Sequence, residues 1–328
     1  MNKAVSPKKA ALVLEAAAKT DQGRRRDHNE DVALVRDDLK LYVVCDGAGG
    51  HQAGDVAADL AVRTIASFFA ECARDLELGP EYDRFGLPVG ARRLSTAIHA
   101  ANREVMQLSR SSRKHRGMGT TVVAAHFSPA SGLLHVAHVG DSRCYRLRGG
   151  HLEQLTQDHS LLTEVLEQRP DLDDAALARL PQHVVTRALG MDDKVRASVH
   201  SFQVVEGDRY LLCSDGLSAI VPASLLAETL AEFPEPGFCV RKLIALANGA
   251  GGPDNIAAVV VHCHGGHELA LPAAAQTDAA ERTDGIHSDS DPELLILGIE
   301  ELDPADRPSL AGGDLLRALD ELLGKRAR

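Results

Sequence analysis

The sequence predicts an α+β fold, arranged as a sandwich of sheet and helix layers. Apolar runs of strand length recur along the chain, and most of them are bounded by Gly, Asp or Ser. Two longer segments instead carry apolar residues at helical spacing. Because the strands follow one another in meander order, the pattern favours layers of sheet and helix over a strictly alternating βαβ fold.

The strands are predicted from alternating or continuous apolar runs. These runs are "DVALVRDD", "LKLYVVCD", "TTVVAAHF", "LLHVAHVGD", "CYRLRGG", "DRYLLCSD" and "IAAVVVHC". None of them approaches the roughly 18 apolar residues of a membrane-spanning helix, so no membrane association is predicted.

Helices are predicted where the apolar period changes to that of one helical face. The segment "DVAADLAVRTIASFFAECARDL" places these residues on a common face: Val56, Leu60, Ile65, Phe68, Phe69 and Cys72. A second segment, "ARRLSTAIHAANREVMQLS", does the same with Leu94, Ile98, Ala101, Val105 and Leu108. Further helices are predicted in "SLLAETLAEF" and "GFCVRKLIALANGA", the latter followed by the stop signal "NGAGGPDN".

The composition changes after about residue 265, which predicts three regions. Residues 1–265 form the folded domain, and 266–292 form a linker rich in Ala, Asp, Thr and Ser without apolar periodicity. Residues 293–328 contain a short apolar patch and an amphipathic helix, "GDLLRALDELLGKR", that is a candidate docking tail for a protein partner. The formal net charge of −11 lies mostly beyond residue 266.

Composition also limits the function classes. No Lys/Arg stripe with interleaved aromatic residues is present and aromatic residues make up 3% of the chain, so nucleic-acid binding is not expected. The six cysteines form no C-x-x-C pair, and several lie inside apolar runs. We therefore expect reduced thiols in a cytoplasmic protein without a disulfide framework.

Four aspartates stand at the ends of predicted strands, next to glycine or serine: Asp46, Asp141, Asp215 and Asp254. Strand ends of one sheet can meet at a single edge, and carboxylates gathered there repel one another unless cations balance them. A lone Asp-Gly is most often only a turn, but four such positions after apolar runs favour a metal site.

The ligand type indicates which metal would bind. Carboxylate oxygens with nearby glycine carbonyls, and no His/Cys spacing typical of zinc, favour Mg²⁺ or Mn²⁺. Two such ions bridged by one carboxylate would activate a water and hold a phosphoryl oxygen. Asp46 is the candidate bridge.

Near the front of the chain, "TDQGRRRDHNED" adds arginine, which binds phosphate through paired hydrogen bonds. With this motif the chain resembles the metal-dependent serine/threonine protein phosphatases of type 2C, in their bacterial form. The family pattern D-x-G-x-x-R-x-x-N-E-D is matched by Asp21, Gly23, Arg26, Asn29, Glu30 and Asp31. Further matches, in the family's order, are "CDGAGGHQAG", "MGTT", "HVGDSRCYR", "QDHS", "VVTRALG", "CSDGL" and "GGPDN".

The resemblance implies a fold and a set of roles. The fold would be a four-layer αββα sandwich, with two antiparallel β-sheets flanked by helix pairs. Asp46 would bridge two Mn²⁺ or Mg²⁺ ions, with the Gly47 carbonyl on the second, while Asp215 and Asp254 would hold the first. Arg26 would bind the substrate phosphate.

The remaining implied roles are less direct. Asp141, with Asp215, would form a weaker third metal site, and Glu30 and Asp31 would act through metal-bound water. Asp158 is a further neighbour of this set. His28 and His159 are expected to belong to supporting loops rather than to act as acids.

One position departs from the family. Many eukaryotic relatives carry a histidine directly after the Asp-Gly as the proposed general acid, and bacterial members usually carry methionine; this chain has Ala48. His51, three residues on, matches a histidine of the bacterial motif and titrates in the range suited to protonating a serine alkoxide. It is equally consistent with a residue that only shapes the loop, and a metal-bound water is another proton source.

The predicted function is metal-dependent hydrolysis of phosphoserine and phosphothreonine in proteins, by a hydroxide bridging two Mn²⁺ or Mg²⁺ ions. The expected partners are phosphorylated substrates of a serine/threonine kinase. Two alternatives stay open: a regulatory pseudophosphatase, against which Arg26, Asp46, Asp215 and Asp254 are all present, and a phosphatase of small metabolites.

Overall fold

The computed structural model describes residues 13–49, 53–73, 82–84, 86–128, 131–177, 180–181 and 184–264. The chain divides into two units, one of Met1–Glu164 with His183–Ala270 and one of Val165–Gln182 with Leu271–Arg328. The linker predicted at 266–292, the tail predicted at 293–328 and His51 lie outside the described residues.

The first unit contains two antiparallel sheets. One has the strand order β1-β11-β10-β7-β8 and the other β2-β3-β5-β6-β9, with the short β4 paired to β3. In chain order the strands are β1 Val13–Asp21, β2 Asp31–Arg36, β3 Leu41–Ala48, β4 Gly119–Thr120, β5 Val122–Ser128, β6 Leu133–Val139, β7 Arg143–Arg148, β8 His151–Gln154, β9 Ser198–Gln203, β10 Arg209–Cys213 and β11 Ile256–His264.

Helices cover the outer face of each sheet. The described helices are α1 Gly54–Glu71, α2 Val89–Ser111, α3 Leu161–Gln168, α4 Asp174–Leu177, α5 Asp215–Ser218, α6 Ala223–Glu232 and α7 Pro236–Gly249. In α1 the fully buried residues are Ala57, Ala58, Ala61, Ile65 and Phe69, while Val56 and Phe68 are only partly buried. The observed buried face of α1 is therefore rotated from the predicted face toward the alanines, because small residues let this helix approach the sheet closely.

Three hydrophobic clusters fill the spaces between four layers. One contains α1 and α2 residues against the β3 sheet, including Ile65, Leu94 and Val43. A second joins the inner faces of the two sheets, with Tyr42 and Tyr210 among its members. The third packs Leu243 and other helix residues against the β10 sheet. The predicted α+β class, with two antiparallel sheets flanked by helices, is confirmed.

The first strand, β1, is not among the strands that the sequence predicts. Its sequence "VLEAAAKTD" has an alanine run that favours helix. It is a strand because all nine of its residues pair with β11, from Val13 opposite His264 to Asp21 opposite Ile256. Tertiary pairing here overrides local propensity.

The second unit has few described residues, 165–177 and 180–181. Within it the short helix α4 follows Asp173, whose side chain accepts a hydrogen bond from the Ala176 backbone N–H at 2.8 Å. Arg169 pairs with Asp171 at the surface, 3.0 Å apart. No helix of the described parts of the chain combines the length and apolarity needed to cross a bilayer.

Candidate active site

The site begins with two aspartates that face each other across a strand pair. In the antiparallel register of β2 and β3, Asp31 lies directly opposite Asp46. Desolvation raises the pKa of Asp46 well above its usual range, and the charges of Asp31 and Asp215 add to the effect. Desolvation likewise raises the pKa of Asp31. Like charges this close favour either protonation or a bound cation.

The backbone of Asp46 is held by the two threonines of "MGTT". The Thr121 N–H and the Thr120 hydroxyl both donate to the Asp46 carbonyl oxygen, at 2.8 and 2.9 Å. The Asp46 N–H in turn donates to the Thr121 hydroxyl at 3.2 Å. Asp46 therefore has a fixed backbone position although its neighbours repel its charge.

Gly47 and Gly54 let the β3 end approach the start of α1. A Cβ on Gly47 would lie 2.2 Å from the Gly54 carbonyl oxygen, and a Cβ on Gly54 would lie 2.7 Å from the Glu30 carboxylate. The Gly47 N–H donates to the Glu30 carbonyl oxygen at 3.2 Å. Desolvation, with the charge of Asp55, raises the pKa of Glu30. Only glycines allow this spacing.

Asp215 and Asp254 come from the other sheet, after β10 and before β11. Ser214, next to Asp215, donates its hydroxyl to the Asp31 carboxylate at 2.7 Å and so ties the two sheets together. Gly216 permits close contact, because a Cβ there would lie 1.8 Å from the Asn255 carbonyl oxygen. The backbones carrying Asp215 and Asp254 are thus packed directly against each other.

Asn255 organises the loop that precedes β2. Its side-chain amide donates to the carbonyl oxygens of Gln22, at 2.9 Å, and His28, at 2.7 Å, and its side-chain oxygen accepts from the Glu30 N–H at 2.9 Å. One amide side chain therefore fixes the segment that carries Arg26, Glu30 and Asp31 relative to Asp254.

Asp141 lies in the connection from β6 to β7. Desolvation, together with the charge of Asp215, raises the pKa of Asp141 to about 6. The residue before it, Gly140, is held by His159, whose Nδ1 accepts from the Gly140 N–H at 3.1 Å. The His159 ring also stacks on His138, with 4.6 Å between ring centroids, so its contacts support the loop.

Arg26 reaches the cluster from the β1–β2 turn. Its guanidinium donates to the Asp254 carboxylate at 2.7 Å, and 52% of its side chain stays exposed to solvent. The hydrogen bond to Asp254 raises the pKa of Arg26. Gly23 allows the turn, with φ of +78° and a Cβ position only 2.1 Å from the Asp254 carbonyl oxygen.

The predicted carboxylates are thus brought together, although from the edges of both sheets and not from one sheet as the sequence suggested. Asp46 feels the charges of Asp31, Asp215, Asp141 and Asp254. In the described part of the chain, no three Asp, Glu, His or Cys side chains close into a metal shell by themselves. One of the carboxylates, Asp254, is instead paired with Arg26.

The donors nevertheless fit hard divalent cations. All the clustered side chains are carboxylates, the ligand type that Mg²⁺ and Mn²⁺ prefer. The buried Oδ1 of Asp31 receives no hydrogen bond from the described residues, which leaves an oxygen available to a metal or its water.

Three positioning residues were not singled out from the sequence: Thr121, Ser214 and Asn255. Ser214 and Asn255 each stand beside a predicted ligand within a matched motif, and Thr121 lies in the matched motif "MGTT"; these positions were the available signal. Asp158, by contrast, is occupied by Arg143, which donates to both of its oxygens at 2.7 to 3.0 Å.

Comparison with known proteins identifies the class of this architecture. Residues 20–245 match the family model described as protein phosphatase 2C. The serine/threonine phosphatase Stp of Listeria monocytogenes is 36% identical over 251 residues, covering 76% of this chain and 95% of Stp. The serine/threonine protein phosphatase PstP of Mycobacterium tuberculosis is 34% identical, over 77% of this chain and 45% of PstP.

Comparison with solved structures gives the same class of protein. The crystal structure of Mycobacterium tuberculosis PstP superposes with a TM-score of 0.66 at 32% identity, covering 76% of this chain and 99% of that one. A PstP catalytic domain in complex with two manganese ions gives a TM-score of 0.65 at 33% identity, covering 77% and 99%.

This chain belongs to the protein phosphatase 2C family. The family resemblance and the enzyme class predicted from the sequence, protein serine/threonine phosphatase, are confirmed.

Proposed function

We propose that this protein hydrolyses phosphoserine and phosphothreonine in proteins, using two Mn²⁺ or Mg²⁺ ions. The observation that carries the proposal is the set of four aspartates whose charges act on desolvated Asp46, next to an arginine able to bind phosphate. Such an excess of negative charge is balanced by divalent cations, and a relative of similar fold has two manganese ions in its structure.

We assign the ligands by their match to the family's motifs. Asp46, whose backbone Thr121 fixes, would hold both ions; the Gly47 carbonyl would serve the second ion, and Asp215 and Asp254 would serve the first. Asp141 and Asp215 would supply a weaker third site, and Glu30 and Asp31 would act through water. When bound, the ions lower the pKa of water and neutralise phosphoryl oxygens in an in-line displacement.

Arg26 is the substrate-phosphate ligand. Its side chain is 52% exposed and contacts Asp254 through one nitrogen, so the rest of the guanidinium faces solvent. The Arg26 guanidinium would leave this single contact for two parallel hydrogen bonds to a phosphate if the Asp254 charge were offset by a bound cation.

The leaving serine or threonine oxygen needs a proton. Ala48 occupies the position of the family's proposed acid and has none to give. The proton comes from His51 or from a water, and the pH profile of kcat for His51→Gln separates them. Loss of the alkaline limb, where the wild-type kcat falls as the acid deprotonates, identifies His51, whereas an unchanged profile identifies water.

Turnover assays test the proposal against its alternatives. Phosphothreonine peptide, phosphotyrosine peptide and a small phosphorylated metabolite are compared with Mn²⁺ and with EDTA, and Asp46→Asn is the inactive control. We expect Mn²⁺-dependent turnover of the phosphothreonine peptide well above the other two substrates. Turnover of none of them identifies a pseudophosphatase, and a preference for the metabolite overturns the protein substrate.

The state of the cysteines bears on the compartment in which the protein works. All six cysteines are free thiols, and five of them are buried. Thiols that stay unpaired suit a reducing compartment, so we place the enzyme in the cytoplasm, opposing a serine/threonine kinase in a signalling pathway. Comparing phosphoproteomes with and without the active enzyme tests this assignment.

A further inference from the structure

A cleft of about 350 Å³ opens between β1 and α7, beside the turn that carries Arg26. Its walls include Lys19 from β1, Arg24 from the turn, and Arg241 and Asn248 from α7. Asp21 is the one acidic residue among the lining residues that the structure describes. The proposed catalytic chemistry uses none of the three cations.

The cations of the cleft are only partly balanced by the described residues. Lys19, Arg24 and Arg241 form no ion pair there, since every described ion pair involves other basic residues. The Asp21 Oδ1 accepts from the Gly23 N–H and from the Asn248 amide, both at 3.0 Å. Burial acts to raise the pKa of Asp21, but these hydrogen bonds together with the charges of Lys19 and Arg24 outweigh burial and lower that pKa. One carboxylate thus faces three cations. The cleft therefore keeps an excess of positive charge.

One of these cations is positioned in advance. The Arg241 guanidinium lies over the ring of Phe238, 4.4 Å from the ring centroid. Stacking of this kind restricts the side chain while leaving the edge of the guanidinium free for hydrogen bonds. A preorganised guanidinium binds an oxyanion at lower entropic cost than a freely moving one.

The cleft is connected to the phosphate-binding arginine through a single turn. The Arg24 N–H donates to the Gly252 carbonyl oxygen at 2.7 Å, and Gly23 packs against the backbone of Asp254. Arg24 precedes Arg26 by two residues, which corresponds to at most ~7 Å of extended chain. A peptide bound at Arg26 would therefore reach the cleft with a side chain two or three residues away.

The sequence also places positive charge beside Arg26. In "GRRRD", Arg24 and Arg25 occupy the two variable positions of the family pattern before Arg26. Charge at those positions is a property of this chain and not a requirement of the metal site.

We propose that this cleft, lined by Lys19, Arg24 and Arg241, binds an oxyanion of the substrate protein two or three residues from the phosphorylated serine or threonine. The oxyanion is a carboxylate or a second phosphoryl group. This inference rests on the proposed function, because it concerns how the same site selects phosphoproteins.

The test compares phosphothreonine peptides that differ at one position. Alanine, lysine, glutamate or phosphoserine is placed two or three residues on either side of the phosphothreonine, and kcat/KM is measured with Mn²⁺. The proteins are the wild type, Arg24→Gln, Arg241→Gln and the double variant. Arg25→Gln and Lys242→Gln are matched controls, since each removes one positive charge from a neighbouring residue that does not line the cleft.

We expect the wild type to favour the glutamate or phosphoserine peptide over the alanine peptide by about five- to tenfold, and to disfavour lysine. The ratio of kcat/KM for the anionic peptide to kcat/KM for the alanine peptide should fall toward one in the double variant and stay at the wild-type value in both controls. In the wild type this ratio should decrease as the salt concentration is raised. If only the phosphoserine peptide is preferred, the cleft binds a phosphoryl group. If the glutamate peptide is preferred as well, the cleft also binds a carboxylate.

Two outcomes would overturn the inference while leaving the proposed function intact. One is a wild type that hydrolyses all four peptides equally, and the other is a preference that survives in the folded double variant. Failure of the proposed function is distinct, because the wild type would then show no Mn²⁺-dependent turnover of any phosphopeptide. Circular dichroism and melting curves establish that each variant is folded.

Discussion

Two arginine–aspartate pairs border the carboxylate cluster, and they differ in how firmly they are held. Arg26 contacts Asp254 through a single 2.7 Å hydrogen bond, with 52% and 33% of the two side chains exposed. Arg143 donates three hydrogen bonds to Asp158 and one to the Tyr145 hydroxyl, and the exposures are 29% and 13%. The first pair is open to exchange with a ligand, whereas the second is a fixed structural contact.

The contrast shows that residue type alone does not decide function at this edge. Both arginines lie near acidic residues that the family pattern covers, yet only Arg26 has solvent-facing donors beside the carboxylate cluster. Geometry around the pair, and not the pairing itself, separates the proposed substrate ligand from the structural contact.

The largest effect is expected from neutralising the cluster itself. Asp46→Asn or Asp215→Asn should lower kcat by roughly three orders of magnitude or more, because each removes a proposed metal ligand and such ligands act as one catalytic unit. The measurement is turnover at saturating Mn²⁺ with circular dichroism as the fold control. Near wild-type kcat in a folded variant would exclude the dinuclear arrangement.

Arg26→Ala should raise KM for a phosphopeptide by about tenfold with a smaller change in kcat, because a phosphate ligand contacts ground state and transition state alike. Arg26→Lys should recover only part of the affinity, since an ammonium lacks the paired donors. An unchanged KM with a collapsed kcat would reassign Arg26 to stabilising charge in the transition state.

Arg143→Ala should act on stability instead. It leaves the partly buried Asp158 without its main donor, and we expect a loss of about 1–3 kcal/mol in the free energy of unfolding. The expected signature in urea titration is a lower midpoint, with KM for phosphopeptide close to wild type. A raised KM for phosphopeptide with an unchanged free energy of unfolding would instead indicate that Arg143, like Arg26, binds the substrate phosphate.

Removing metal should make stability depend on pH in a defined direction. Desolvation raises the pKa of Asp141 to about 6 and that of Asp46 above its usual range. A carboxyl whose pKa is raised on folding contributes stability below about pH 4 and loses it as pH rises through the folded pKa. In EDTA the Tm should therefore fall from about pH 5 to pH 7.

Mn²⁺ should reverse that trend, because the cation favours the ionised carboxylates. Melting curves across the pH range, with EDTA and with Mn²⁺, provide the measurement, and Asp141→Asn should flatten part of the slope in EDTA. Parallel curves in the two conditions would show that the carboxylates do not share a metal-dependent charge balance.

The smallest effect is expected from deleting residues 266–328. Every proposed ligand precedes residue 256, so Mn²⁺-dependent hydrolysis of a small aryl phosphate should be essentially unchanged. The same deletion should weaken binding to a protein recovered with the full chain, if the leucine-rich helix predicted at the end docks on a partner. Loss of aryl phosphate hydrolysis would place this segment in the catalytic fold.

Much of the fold was accessible from the sequence because its strands are buried and strongly apolar. The β3 and β11 runs and the long helices α1 and α2 were predicted within a few residues of their observed bounds. The strands β1 and β9 were not, since the first has helix-favouring alanines and the second, "SVHSFQ", has few apolar residues. Both depend on partners distant in sequence.

The residues of the site likewise divide into those with a local sequence signal and those without one. Aspartates at strand ends next to glycine or serine are a local signal, so Asp46, Asp141, Asp215 and Asp254 could be proposed as ligands from the sequence. The hydrogen bonds from Ser214 to Asp31 and from Asn255 to the β1–β2 loop span more than 180 positions of the chain, and no local pattern encodes them. The pairing of Asp254 with Arg26 is likewise a property of the folded state.

The pairing of the first strand with the last also sets the order in which the enzyme can assemble during synthesis. Within the described sheet β1 has only β11 as a neighbour, so it has no partner until residues 256–264 have left the ribosome. The segment carrying Arg26 follows β1, and Asp254 precedes β11. Until then β1 is unpaired and Asp254 cannot reach Arg26, so we expect activity only after residues 256–264 have emerged.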